Sequence, residues 1–449
     1  MGMSARAMAE ATGGVWRGTP PPEVAGFSID SRRLRPGEAF VALCGPNHDG
    51  HRYAADVVGR ASALIGARDR AEGWRMLPVP QLLVEEGASA LRALAARHRR
   101  DCRVERVIAV VGSQGKTTVR TLLAHLLSID PWRVHQTEGN RNNLIGTPLT
   151  LLAIPRAAQA AVVECGISER GEMAELAAMV APDLVVVPAI SSGHSAGLGT
   201  LEEIVREKGI MLQRGCPDLF LGRGVAALLD HAGVRTEGAM LQAEDVSAVQ
   251  AVLRGGRLLL CQGDGQAALD LPLPSTALAE NMALAATVAR RLRPELTLER
   301  IARRLEGWRP PAGRLRAMRG LGGARIIDDS YNANPASMAA ALALLAALPG
   351  RRIAVLGEMA ELGDDSAAAH AALPLAGIDR VLLFGAEMAP LAGRWPQAEW
   401  FAAFADLADA VGQMARGLGP DDSVLLKGSR CNRLERLLPL LAPEGADAL

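Results

Sequence analysis

Short apolar runs alternate with polar turns through the first hundred residues. Residues 39–43 (AFVAL) predict a strand, 54–63 a helix, and 88–100 a second helix rich in Leu, Ala and Arg. From 107 the texture changes. Residues 107–111 form a wholly apolar run that stops at Gly112, as a strand buried on both faces does. Beyond the turn, Val119, Leu122, Leu123, Leu126 and Leu127 fall at i, i+3, i+4, i+7 and i+8, the stripe of an amphipathic helix. Further buried-strand runs end at Glu164 (AAVVE), at Pro188 (LVVVP) and near Leu221 (LFL), and glycines at 255–256 and 263–265 punctuate a small antiparallel excursion. A Pro/Gly hinge, WRPPAG at 308–313, closes this region. After it, apolar strands at 325–328, 352–357, 380–385 and 423–428 alternate with Ala/Leu helices, which implies a parallel sheet with right-handed crossovers. The expected fold class is therefore α/β in three domains. A small N-terminal α/β domain spans 1–104, a central parallel-sheet domain 105–312, and a C-terminal Rossmann-like domain 313–449.

Composition narrows the chemistry. At 449 residues the chain exceeds one ordinary core. Lys plus Arg and Asp plus Glu each number 49, so bulk charge recruits neither nucleic acid nor an acidic membrane, and any bound phosphate must be gripped locally. Six scattered cysteines without a CxxC pair argue against a zinc site or a disulfide scaffold and fit a reducing compartment. The opening MGMSARAMAEATGG has no apolar h-region, and no uncharged run approaches the ~18–20 residues of a membrane span. A cytoplasmic protein without a membrane span is expected.

The loop Gly112-Ser113-Gln114-Gly115-Lys116-Thr117-Thr118 lies between the buried strand and the amphipathic helix. Its glycines let backbone N–H groups turn toward an anion, and the helix N-terminus adds favourable partial charge. Lys116 would reach the terminal phosphates and the Thr117 hydroxyl would ligate magnesium. The usual first glycine of such loops is replaced by Val110. The loop predicts a bound nucleoside triphosphate and says little of what is done with it.

Ligands of open parallel sheets sit outside the carboxyl ends of the strands. That rule gathers Glu164, His194 in the loop after LVVVP, and Asp328-Asp329 at the end of RIID. A carboxylate ending an apolar strand needs a metal or a cationic partner. Glu164 is read equally well as a metal ligand or as a capped, salt-bridged side chain. His194 taken alone is an ordinary structural hydrogen-bonder, and Lys208 an ordinary solvated helix lysine.

The ordered strings SIDSRRLRPGEAFVAL, GSQGKTT, TEGNRNNLIGTPLTLL, VVECGISERGEM, PAGRL, DDSYNANPASM, LGEMAELG and LLKGSR run nearly the whole length. Together they resemble the Mur ligase family. NNLIGTPLTLL, DDSYNANP and LGEMAELG favour the branch that joins D-alanyl-D-alanine to a UDP-N-acetylmuramoyl-tripeptide. The resemblance implies an ATP-dependent, carbon–nitrogen bond-forming ligase of cell-wall precursor synthesis, working through an acyl phosphate, with magnesium and as a monomer. It places Lys116 and Thr117 on the ATP phosphates and their magnesium. Glu164 and His194 match ligands of a second magnesium, and Lys208 matches a lysine carbamylated by carbon dioxide. Asn281 matches an adenine contact, Arg314 a phosphate contact and Asp329 a ribose contact. Asp30, Ser31 and Arg32 match a motif that grips the UDP end of the substrate. Asn142 and Asn143 fall near the γ-phosphate and the acceptor carboxylate. Val111, Cys165, Ala189, Ile210 and Ala277 depart from the family's usual residues. Folylpolyglutamate-synthetase-like ligases share the last two domains, and a P-loop NTPase without ligase activity is the alternative from another class.

Overall fold

The computed structural model describes residues 2–191, 195–213, 215, 218–236, 238–254 and 256–442. Three α/β modules follow one another along the chain. In the first, helices α1 (Ala5–Thr12) and α2 (Gly87–Asp101) flank a five-stranded sheet of β1 (Val15–Arg17), β2 (Gly26–Ser28), β3 (Glu38–Val41), β4 (Ala63–Ala67) and β5 (Gln81–Val84). Their spatial order is β1-β5-β4-β3-β2, parallel except for β1. The helix expected at 54–63 is absent. Gly50–Tyr53 and Ala55–Val57 are 3-10 turns, and Ala63 already belongs to β4. Val57, Val58 and Gly59 are poor helix formers. Only Ala54 and Val57 need burying here, and they stand three residues apart, the spacing that one 3-10 turn stacks.

The central module is built on β6 (Arg106–Val110), α3 (Lys116–Leu127), β7 (Val134–Gln136), α4 (Gly146–Leu152), β8 (Ala160–Glu164), α5 (Glu172–Val180), β9 (Leu184–Val187), α6 (Leu201–Gly209), β10 (Asp218–Leu221), α7 (Val225–His231) and β11 (Ala239–Gln242). Its six strands are all parallel, in the order β7-β8-β6-β9-β10-β11. Alternation along β6 serves two cores at once. Val107 and Ala109 join an apolar cluster that continues into the N-terminal module through Leu91, Leu94 and Ile65, whereas Ile108 and Val110 pack beneath α3. The antiparallel excursion is a meander of β12 (Gln250–Arg254), β13 (Arg257–Gln262) and β14 (Gly265–Asp270). Helices α8 (Thr276–Leu292) and α9 (Leu298–Glu306) complete the module.

After the hinge come β15 (Arg316–Arg319), β16 (Arg325–Asp329), α10 (Pro335–Ala346), β17 (Arg351–Gly357), α11 (Ser366–Ala371), β18 (Arg380–Phe384), β19 (Ala398–Phe401), α12 (Phe404–Ala415) and β20 (Asp422–Lys427). The sheet order is β15-β16-β20-β17-β18-β19, and only the edge strand β15, a neighbour the apolar pattern does not reveal, runs antiparallel. No helix among the described residues is long and apolar enough to cross a membrane.

Leu122 is fully buried where α3 meets the sheet. Leu122→Ala is expected to destabilise the chain by about 2–5 kcal/mol, seen as a lower urea midpoint. An unchanged midpoint would show that this helix is not held by its apolar stripe.

Candidate active site

The turn after β6 is the phosphate-loop geometry the sequence calls for. Gly115 caps α3 with φ 78°, a left-handed conformation that favours glycine. A Cβ there would stand 2.8 Å from both Pro188 Cβ and Asn281 Oδ1, so Gly115 also lets α8 approach the loop. Ser113 N donates to the Ala189 carbonyl (2.8 Å) and Ser113 Oγ to that of Ser191 (2.8 Å). The loop is thereby tied to the end of β9. Lys116 Nζ donates to the Gly112 carbonyl (2.8 Å). Burial pushes its pKa down, Glu164 opposes that shift, and Arg314 adds to it.

Glu164, at the end of β8 and 1% exposed, is the node of the site. Its Oε1 accepts from Thr117 Oγ1 (3.1 Å) and Asn142 Nδ2 (2.8 Å), and its Oε2 accepts from Arg120 Nε (3.1 Å). Of the two readings of this carboxylate, the salt bridge is present, while the side chain still borders the cleft beside Lys116 and Thr117. Asn143 caps the start of α4, its Oδ1 accepting from Gly146 N (2.9 Å).

Lys208 is not a solvated surface lysine. It is 1% exposed, on α6, whose N-terminus is fixed by a Thr200/Glu203 capping box. Burial, then the charge of Lys116, lower its pKa to about 7, with Glu207 opposing. Lys116 thus feels Glu164 and Arg314, and its own charge reaches Lys208. His194 lies outside the described residues.

The C-terminal module closes the other side. Gln114 Nε2 reaches Asn334 Oδ1 (3.1 Å) across the module boundary. Asp329 Oδ2 accepts from Lys427 Nζ (2.5 Å), and its Oδ1 from Leu315 N (3.1 Å). Leu315 has φ 51°, a strained value for a non-glycine residue, immediately after the hinge. Arg314 stacks on Tyr331, its guanidinium 4.1 Å from the ring centre, and Arg430 stands 5.7 Å from the same ring. Two adjoining cavities share the loop Ser113–Gly115. One is bordered by Asn281, Arg314, Asp329 and Lys427, the other by Lys116, Thr117, Asn142, Asn143, Glu164 and Arg430.

A further cleft lies between the first two modules. Asp30, Arg33 and Arg35 face His135, Gln136 and Arg141 across it. Arg32 instead points to solvent and grips Asp30 in a two-point ion pair, at 2.9 Å through both Nε and Nη2. That side-chain bond, with the Arg32 backbone N–H, holds the Asp30 carboxyl down at about 2. Ser31 accepts from Arg60 through its carbonyl (2.9 Å). Neither Ser31 nor Arg32 borders the cleft; Arg33, Arg35, Arg141 and the buried Arg120 went unnoticed in the sequence.

Thr117 and Glu164 offer oxygen donors only, which suits a hard cation such as magnesium. Among the described residues, no three His, Cys, Asp or Glu side chains cluster as a cage for a cation.

Because the folded-state pKa of Lys208 lies below its ordinary 10.5, the unfolded chain binds the extra proton between about 7 and that value. Stability should therefore rise with pH across this window. In CO2-free buffer, Lys208→Met is expected to remove part of that rise in urea unfolding at pH 7 and pH 9.5. Parallel behaviour of the two proteins would mean the lysine is not held in its neutral form.

Residues 110–289 match the family described as Mur ligase middle domain, and residues 313–430 the Mur ligase, glutamate ligase domain. The UDP-N-acetylmuramoyl-tripeptide–D-alanyl-D-alanine ligase of Escherichia coli K12 is 31% identical over 440 residues, covering 93% of this chain and 94% of its own length. The structure of MurF from Acinetobacter baumannii superposes with a TM-score of 0.86 at 28% identity, covering 98% of each chain. MurF from Thermotoga maritima, determined in complex with ADP, gives 0.80 at 26% identity, covering 92% of this chain and 96% of that one. This chain belongs to the Mur ligase family.

Proposed function

We propose that the chain is an ATP-dependent ligase of peptidoglycan precursor synthesis that joins D-alanyl-D-alanine to a UDP-N-acetylmuramoyl-tripeptide. The observation that carries this reading is the meeting of Lys116, Glu164 and Lys208 of the central module with Arg314 and Asp329 of the C-terminal module around one phosphate loop. In this reading segment 1–104 binds the UDP end of the substrate, 105–312 binds ATP and 313–449 brings the acceptor. The arginine-lined cleft beside Asp30 suits a nucleoside diphosphate. Asn281, Arg314 and Asp329 would contact the adenine, phosphates and ribose of ATP. The five cysteines among the described residues are all free, which fits the cytoplasm, where the chain would act as a monomer.

A carboxylate is a poor acyl donor. The peptide's terminal carboxylate therefore attacks the γ-phosphorus of ATP in line, the bond to the bridging oxygen breaks, and ADP leaves an acyl phosphate behind. The neutral amine of the dipeptide then adds to the acyl carbon, the tetrahedral adduct loses inorganic phosphate, and the ammonium proton is given up to form the amide. The protein's part is placement and charge. Lys116 holds the transferred phosphoryl group, and Asn142 and Asn143 lie where the reacting carboxylate enters. Thr117 would hold the magnesium of the ATP phosphates, and Glu164 and His194 a second magnesium; these ions supply charge neutralisation to the phosphates. Neutral Lys208 is competent to add carbon dioxide and lose a proton, giving an anionic carbamate with oxygen donors for the second cation. Arg430, exposed at the cleft and paired with Glu435 at 3.3 Å, is the cation assigned to the acceptor's own carboxylate.

Phosphate release should require ATP, the UDP-muramoyl-tripeptide and D-alanyl-D-alanine together, and Lys116→Ala should lower it about 10²–10³-fold in a folded protein. Release of phosphate from ATP without any acceptor would favour the plain NTPase instead. Arg430→Ala is expected to raise the KM for the dipeptide about 10–100-fold with the KM for ATP unchanged, the loss of one charge-assisted bond. Equal effects on both substrates would remove Arg430 from acceptor binding.

A further inference from the structure

Arg120 stands on α3 one turn beyond Lys116, its side chain 6% exposed against a Glu164 side chain 2% exposed. A buried ion pair of this kind contributes little net stability, since desolvating both charges offsets their attraction. Its geometry, however, divides the carboxylate. Oε1 receives Thr117 and Asn142 on the cleft side, while Oε2 is taken by the guanidinium. The remaining nitrogens of Arg120 are engaged by Gln136 Oε1 (3.1 Å) and by the carbonyls of Thr137 and Gly139. The guanidinium is therefore anchored from several sides and cannot swing away from Oε2 without leaving those acceptors. Gln136 also borders the arginine-lined cleft, so one side chain links the phosphate-loop helix, the carboxylate and the wall of the second cleft.

We propose that Arg120 is a positioning residue that makes Glu164 a one-oxygen ligand and thereby sets the preference of the site for a small octahedral cation over a larger one. The inference rests on the reading above, in which Glu164 holds a magnesium beside the ATP phosphates. Magnesium demands near-ideal octahedral geometry, into which the narrow bite of a chelating carboxylate fits badly. Calcium accepts carboxylates through one oxygen or two and tolerates higher coordination numbers. With Oε2 held by Arg120, Glu164 offers only Oε1. Without the guanidinium the second oxygen is free to join, which favours the larger ion. Loss of the positive charge alone would strengthen both ions alike, so the ratio of affinities, not either affinity, reports positioning.

The test uses the full-length chain with ADP, following bound Mn2+ by electron paramagnetic resonance while Mg2+ or Ca2+ displaces it. Arg120→Met should raise the Ca2+-to-Mg2+ affinity ratio about 10-fold, the scale at which outer-sphere partners tune metal sites. Arg120→Gln, which keeps a donor for Oε2 without the charge, should tighten both ions and leave the ratio unchanged. A folded Arg120→Met protein with the wild-type ratio overturns the proposal, as does a ratio shifted equally by Gln. If circular dichroism shows Arg120→Met unfolded, Arg120→Ala, which likewise leaves Oε2 without a donor, takes its place beside Arg120→Gln. A raised ratio in the Ala variant supports the proposal, and a wild-type ratio overturns it. Wild-type protein that binds no Mn2+ with ADP overturns the underlying reading as well, whereas normal wild-type binding with an unmoved Met variant sinks only the role of Arg120.

Discussion

A charge that ends a strand inside a protein has to be neutralised where it stands, and much of the central module is arranged around that requirement at Glu164. Its carboxylate is nearly sealed from solvent and receives a hydroxyl and a guanidinium from α3 and an amide from the segment before α4. Each of those stretches is thereby fixed. The phosphate loop cannot shift without moving Thr117, nor the segment before α4 without moving Asn142. The polar cluster sits at the carboxyl edge of a sheet whose strands are otherwise apolar, and so the rigid part of the molecule delivers its few reactive groups to one place.

Much of this was legible before any coordinates. Parallel strands buried on both faces leave uninterrupted apolar runs, and each such run of the central and C-terminal modules corresponds to a strand. Segment 54–63 was misread because Ala54, Val57, Val58 and Ala61 satisfy a helix template without the length a helix needs. Lys208 carried a usable signal. It lies four residues after Ile204 and three after Val205, on the apolar stripe of α6 rather than its wet face. Arg120 was hidden because attention to the leucine stripe of α3 treats every intervening position as solvent-facing. Its spacing of four from Lys116 puts both cations on the face turned toward the strand ends. Within SRRLR the pattern could not say which arginines face inward, since a short irregular turn has no period to read.

The C-terminal module contributes through contacts that carry little apolar area. Gln114 meets Asn334 across the boundary, and the cavity there is lined by Lys116, Asn142 and Glu164 on one side and Arg314 and Arg430 on the other, so the boundary over the loop is polar. The N-terminal module differs. Its core merges with that of the central module through α2, so these two behave as one body on which the last module is hinged.

Both oxygens of Asp329 are already engaged, one by Lys427 within its own sheet and the other by the backbone of the connecting segment at Leu315, a residue held in a strained conformation. A hydroxyl that bonds Oδ1 of Asp329 would share that acceptor with the linker itself. Occupancy of this aspartate and the angle of the linker are then thermodynamically linked, each biasing the other by the same free energy. The joint between modules doubles as a sensor of what is bound.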